Sequence, residues 1–206
     1  MLEEMLMCVK ADDVEFEDGF TEFATSMYDA SGHLFYLLNS SVTIHRSKVE
    51  DDDGYKQIIV YIIVKDGDKI YSYQRSGGDG RLTGKHSIGI GGHVNISDLK
   101  WSDFFPYRSI EIAALREFNE EIMIRADDID KIGEPLWIGV INDDSTTVNK
   151  VHLGVVFEIQ LNGAEIWLAE CGMTGGQLLE IDDLMQYLKE YESWSQLLIL
   201  EYLARV

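Results

Sequence analysis

The clearest hydrophobic run is Gln57-Ile58-Ile59-Val60-Tyr61-Ile62-Ile63-Val64. Its β-branched residues and short length predict a buried strand. Asp66-Gly67 follows as a hairpin signal, because glycine tolerates a positive φ. Lys69 to Arg75 then alternates and predicts the returning strand. The glycine-rich segment from Ser76 to Gly84 reads as a loop. His86 to His93, HSIGIGGH, predicts a short strand ending in a tight glycine turn. Asn95 to Tyr107 is polar and aromatic and reads as an irregular insertion. A helix is expected from about Ser109, its N-cap, to about Met123, with Ala126-Asp127-Asp128 breaking the pattern. Leu136 to Ile141 and Val151 to Ile159 read as strands joined by a loop over residues 142–149. Ile181 to Tyr191 and Ser193 to Ala204 read as closing helices. Strands of hairpin and crossover type, interleaved with helices, predict an α/β fold: a mixed sheet with helices on its faces.

Residues 1 to about 50 have a different texture. They combine an acidic start, a possible helix around Phe20 to Tyr28 and the apolar stretch His33 to Leu38. The charged run Glu50 to Gly54 closes them as a loop. The expected organisation is an N-terminal extension over residues 1–50, packed on a core domain over 51–206.

Composition narrows the class. The chain has 206 residues, 46% hydrophobic, with two prolines, which is globular rather than disordered. No apolar run approaches the roughly 20 residues needed to cross a bilayer, so no membrane partner is expected. The N-terminus carries acids early and lacks the basic start of a secretory leader. Cys8 and Cys171 form no disulfide framework and match no zinc spacing, which points to a reduced, cytoplasmic setting. The formal net charge of −20 argues against binding a nucleic acid backbone. It leaves room for anionic small substrates, since a divalent cation locally inverts the field.

Candidate chemistry concentrates in AALREFNEEI, residues 113–122. At about 100° per residue, Glu117, Glu120 and Glu121 fall on one arc of a helix, while Leu115, Phe118 and Ile122 fall on another. Like charges at this spacing repel. Hard oxygen ligands on one rigid face suit Mg²⁺ or Mn²⁺. Arg116 stands four residues before Glu120 and can pair with it. A solvated acidic face neutralised by Arg116 is the plainer reading of the same residues.

The context favours the metal. A glycine pair ending a strand, a loop, and then Arg116-Glu117-Phe118-Asn119-Glu120-Glu121 resemble the signature of the Nudix hydrolases, whose core is REUXEEXGU with U a bulky apolar residue. Gly92 opens the motif and Ile124 fills its last apolar position. Further stretches, YKQII at 55–59, HSIGIGGH at 86–93, VINDDS at 140–145, VHLG at 151–154 and ESWS at 192–195, resemble a little-characterised bacterial branch of that family, often labelled only as phosphoesterases.

The resemblance implies an α/β/α sandwich around a mixed sheet. It also implies metal-dependent hydrolysis of a pyrophosphate bond in a nucleoside diphosphate linked to another moiety. Glu117, Glu120 and Glu121 would ligate Mg²⁺ or Mn²⁺, the Gly91 carbonyl would be a further ligand, and Arg116 would orient the carboxylates. A homodimer is common in the family. Three departures stand out: a loop after Gly92 longer by about ten residues, Arg108 in place of an acid, and Met123 in place of the glycine that follows the glutamate pair. They keep open a second reading, a nucleotide-sensing module with this fold and little turnover. The related isopentenyl-diphosphate isomerases are disfavoured, since their cysteine is replaced here within Gly91-Gly92-His93.

Other residues carry paired readings. Arg75 and His93 could contact substrate phosphate, or serve as a surface cation and a structural histidine; by likeness to those isomerases, His93 and His86 could also bind metal. His86 and Lys85 divide in the same way. Trp101, Phe104, Phe105 and Tyr107 could stack on a base, or anchor their own loop. Trp194 reads as core. A water-positioning base is expected from a loop between later strands, where Asp143 and Asp144 lie; capping that loop is their alternative. Glu165 and Glu170 are next in line.

Overall fold

The computed structural model describes residues 4–23, 30–77, 80, 82–99, 106–169 and 172–205. The chain begins with β1 (Met5–Lys10), β2 (Gly19–Glu22), α1 (Ala30–Asn39), β3 (Val42–His45) and the short α2 (Arg46–Val49). The long β4 (Tyr55–Asp66) and β5 (Lys69–Arg75) follow, then β6 (His86–Ser87) and β7 (Gly89–Ile90). Next come α3 (Tyr107–Glu121), β8 (Ile122–Ile124), β9 (Leu136–Asn142) and β10 (His152–Gln160). The chain closes with β11 (Ile166–Leu168), β12 (Met173–Leu179), α4 (Ile181–Gln186) and α5 (Ser193–Glu201). The architecture is mixed α/β with a mostly open sheet, as the hydrophobic pattern indicates.

Two compact units divide the chain, and neither is contiguous. One comprises Met1–Tyr61, Gly92–Leu115 and Trp137–Val156; the other comprises Ile62–Gly91, Arg116–Leu136 and Phe157–Val206. The first fifty residues thus share a unit with later segments. In that unit β1 pairs antiparallel with β3 (Cys8↔Val42) and with β4 (Cys8↔Gln57). Strand β2 pairs antiparallel with β9 (Phe20↔Ile141), and β10 lies between β4 and β9 in strand order. Leu6, Cys8 and Val49 form a buried cluster with Ile44 and Tyr55 against it. Burial pushes the Cys8 thiol up to about 12, so it stays protonated and acts as a small apolar side chain.

The second unit is built on β5, which pairs with β4 (Lys65↔Ile70) and with β12 (Tyr71↔Leu178). Strand β6 adds to β5 and β7 adds to β4 (Ile62↔Ile90). A separate two-stranded ladder joins β8 to β11 through Met123↔Trp167. Ile62, Ile63, Val64, Ile70 and Phe157 are fully buried.

Several elements differ from the sequence expectation. Phe20 to Glu22 are strand, not the start of a helix, and the rest of that expected helix lies outside the described residues, except Phe23, which is coil. The long helix begins at Tyr107, two residues before the expected cap. It ends at Glu121, because Ile122 to Ile124 turn extended to pair with β11. Met123 therefore occupies a strand, where no left-handed glycine stop is required.

Candidate active site

Helix α3 carries Arg116, Glu117, Glu120 and Glu121 on its last turns. Ala113 and Ala114 are buried one turn before Glu117 on the same side of the helix, and Phe118 is buried on the adjoining arc. Arg116 Nη1 donates to Glu117 Oε1 at 2.7 Å and to Glu120 Oε2 at 3.0 Å. The arginine thus bridges two of the three carboxylates, where the sequence suggested one. The third is held from another element: the backbone N–H of Gly91 donates to Glu121 Oε2 at 3.1 Å. Gly91 has φ 146°, a conformation that disfavours side chains, so the glycine is what allows its amide to face the helix.

The donor set is oxygen only, on one helical face, and in kind it fits a hard divalent cation. Among the described residues, no group of three or more His, Cys, Asp or Glu side chains stands close enough to hold a metal ion as placed. As placed, Arg116 holds Glu117 and Glu120, and the Gly91 amide holds Glu121.

The glycine turn is itself braced. Tyr73 is buried, and its hydroxyl donates to the Gly89 carbonyl at 2.7 Å. Burial is the main cause that pushes this phenol up to about 12; Arg75 opposes the shift, and Glu121 and Glu192 add to it. Arg75 Nη1 reaches the same hydroxyl at 3.5 Å, and its Nε is buried without a partner. Arg75, Tyr73, Gly91 and Glu121 thus belong to one neighbourhood of the second unit. Sequence reasoning missed Tyr73.

The other candidates sit elsewhere. His93 belongs to the first unit, with Nε2 2.9 Å from Gln57 Oε1 and its ring 5.5 Å from that of His152. Asp143 is buried, accepts from the Ser145 amide at 2.9 Å and binds the Asn149 side-chain amide. Asp144 faces outward and receives Lys56 Nζ at 2.6 Å; Lys56 is buried and also donates to the Lys150 carbonyl at 3.0 Å. Arg108 pairs with Glu111 at 3.2 Å on its own helix. His86 faces Glu190 at 3.8 Å, and Lys85 donates to the Lys189 carbonyl at 3.2 Å. Tyr107 stacks on Phe35 at 5.5 Å and meets Trp137 edge-on at 5.1 Å, as an anchoring cluster would. Trp101, Phe104, Phe105, Glu170 and Cys171 lie outside the described residues. Trp194 is buried, and Glu165 pairs with Arg125 at 2.9 Å.

Burial, His152 and Arg46 lower the His93 pKa from 6.5 to about 3. The unfolded chain therefore binds a proton there that the folded chain does not, between about pH 3 and 6.5. Stability from this group is complete above 6.5 and falls with acidification through that window. Urea unfolding of the wild type should lose about 1 kcal/mol more per pH unit there than a His93→Gln variant does. Parallel pH profiles would remove His93 as the cause.

No family model matches the chain. Protein YmaB of Bacillus subtilis (strain 168) is 28% identical over 207 residues, spanning 96% of this chain and 97% of that protein. Among solved structures, Tm1382, provisionally assigned as a Nudix hydrolase, superposes with a TM-score of 0.76 at 24% identity, over 98% of this chain and 100% of that one. A bifunctional NMN adenylyltransferase/ADP ribose pyrophosphatase from Francisella tularensis, solved with AMP and a Mn ion, gives a TM-score of 0.51 at 16% identity. That match covers 73% of this chain and 42% of the larger protein. The chain has the fold of the Nudix hydrolases. No helix among its described residues is long and apolar enough to cross a membrane.

Proposed function

We propose that the chain is a Nudix-type hydrolase that cleaves a phosphoanhydride bond in a small nucleotide, a nucleoside diphosphate linked to another moiety. The observation that carries this reading is the last turns of α3: three carboxylates on one face, two bridged by Arg116 and one held by the Gly91 amide. Glu117, Glu120 and Glu121 would hold Mg²⁺ or Mn²⁺, which supplies charge neutralisation and an activated water in such reactions. Arg116 keeps the carboxylates from repelling one another until the cation is bound. The Gly91 amide fixes the rotamer of Glu121.

Arg75 is the cation best suited to a substrate phosphate. Its incompletely bonded guanidinium lies beside Tyr73, whose hydroxyl also feels the charge of Glu121. Arg75→Ala should raise KM about tenfold while kcat changes less than about threefold. An unchanged KM would assign Arg75 to the surface. Asp143, tied to Ser145 and Asn149, and Asp144, tied to Lys56, have partners that suit loop anchors. A reduced cytoplasmic setting and a homodimer accompany this reading.

The test is a panel of nucleotide sugars, dinucleoside polyphosphates, NADH, ADP-ribose and oxidised deoxynucleotides, incubated with Mg²⁺ or Mn²⁺. At least one nucleoside diphosphate derivative should be split into two phosphorylated products. Tight nucleotide binding without product would instead define a sensing module.

A further inference from the structure

The segment Glu192-Ser193-Trp194-Ser195 has no part in the chemistry above, yet its polar groups are buried. Glu192 is the N-cap of α5 and accepts from the Trp194 and Ser195 amides, both at 2.8 Å. Its Oε1 also binds the Ser195 hydroxyl and stands 3.5 Å from the Ser87 hydroxyl. Ser195 Oγ in turn accepts the backbone N–H of Ile88 at 3.0 Å. Ser87 Oγ accepts the Gly89 amide at 3.1 Å. Among the acceptors within reach of the Ser87 hydroxyl are Glu192 Oε1 at 3.5 Å and the Gly89 carbonyl at 3.2 Å. The shorter bond to that carbonyl comes from Tyr73, at 2.7 Å.

These contacts form one buried chain from the start of α5 to residues 87–89, and Gly91, which orients Glu121, follows two residues later along the backbone. Its members are far apart in sequence and belong to one unit. A cap alone needs only the helix amides. Here the same carboxylate and hydroxyls also grip the strand that leads into Gly91.

We infer that Tyr73, together with the Glu192–Ser195 cap, is a positioning device: it fixes the 89–91 turn so that the Gly91 amide holds Glu121 at the carboxylate patch. Tyr73 acts through Gly89 and touches no substrate. The role of Glu121 as a metal ligand is the reading on which this rests. Partners of this kind typically contribute about tenfold or more to metal affinity.

The experiment compares wild type, Tyr73→Phe and Tyr202→Phe. Phenylalanine keeps the ring of Tyr73 and removes only its hydroxyl. Tyr202 is the control, since its hydroxyl bonds Glu158 Oε2 at 3.0 Å in the same unit, away from the turn. Two quantities are read: hydrogen exchange of the Gly91 amide without metal, and Mn²⁺ affinity by calorimetry. Tyr73→Phe should speed Gly91 exchange about tenfold and weaken Mn²⁺ binding about tenfold. Tyr202→Phe should leave both within about twofold of wild type. Unchanged Gly91 exchange in Tyr73→Phe overturns the inference, whatever the metal does. Faster exchange with unchanged Mn²⁺ affinity also overturns it, leaving Tyr73 a purely structural residue. Absence of Mn²⁺ binding by the wild type removes the metal reading itself, and this inference with it.

Discussion

Glu121→Gln should lower kcat/KM by about 10²-fold or more and weaken Mn²⁺ binding at least tenfold, with the fold intact. Glutamine is isosteric and can still accept from the Gly91 amide, so the turn should stay in place. What is lost is the charge. Glu120→Gln should act in the same direction, since that side chain is half exposed and accepts from Arg116. The protein without metal should be no less stable in either variant. Removing one charge from a crowded acidic arc relieves a few tenths of a kcal/mol of repulsion. Calorimetric Mn²⁺ titration and initial rates on the best substrate of the panel are the readouts. Full metal-dependent activity in both variants would end the assignment of this helix as the catalytic centre.

The second large effect concerns stability. Asp144→Ala should destabilise the protein by about 2 kcal/mol while leaving kcat/KM within about twofold. Lys56 is buried with an ammonium held by Asp144 and one carbonyl, so removing the carboxylate strands a charge. Asp144 is itself half exposed, and water can partly replace it, which keeps the cost below that of a fully buried pair. Lys56→Met combined with Asp144→Ala should recover most of the loss, because the stranded charge goes too. Denaturant unfolding of the two single variants and the double completes the cycle. A fall in kcat of about 10²-fold in Asp144→Ala, with stability unchanged, would instead give Asp144 the proton-transfer role.

These two sites show what a sequence reveals about its own chemistry. The carboxylates of α3 were legible because helical periodicity is local: Glu117, Glu120 and Glu121 share an arc by arithmetic, with buried Ala113 and Ala114 one turn earlier on the same side. Strand β4 was legible from its β-branched run, and the turn to β5 from Asp66-Gly67. Strand β12 was not, since Gly175-Gly176 interrupts its pattern. The reason lies in tertiary packing: a Cβ on Gly176 would fall 2.0 Å from the Tyr71 hydroxyl oxygen. Strands β8 and β11, of three residues each, are too short to show any period. Strand β1 hid behind an acidic start, and its partners lie more than thirty residues away. For the same reason the brace from Tyr73 to Glu192 has no local signature. Its bonds from Ser87 to Glu192 and from Ile88 to Ser195 join residues more than a hundred positions apart.

The most direct test of the central claim is phosphorus NMR of a nucleoside diphosphate sugar or ADP-ribose, incubated with chelator-treated protein before and after Mg²⁺ is added. The account predicts no reaction without metal. After addition, the diphosphate resonances should give way to two phosphomonoester signals, and a variant with Glu117, Glu120 and Glu121 all changed to glutamine should show no such change. Cleavage of the diphosphate at equal rates with and without metal, or by that triple variant as fast as by the wild type, would contradict it.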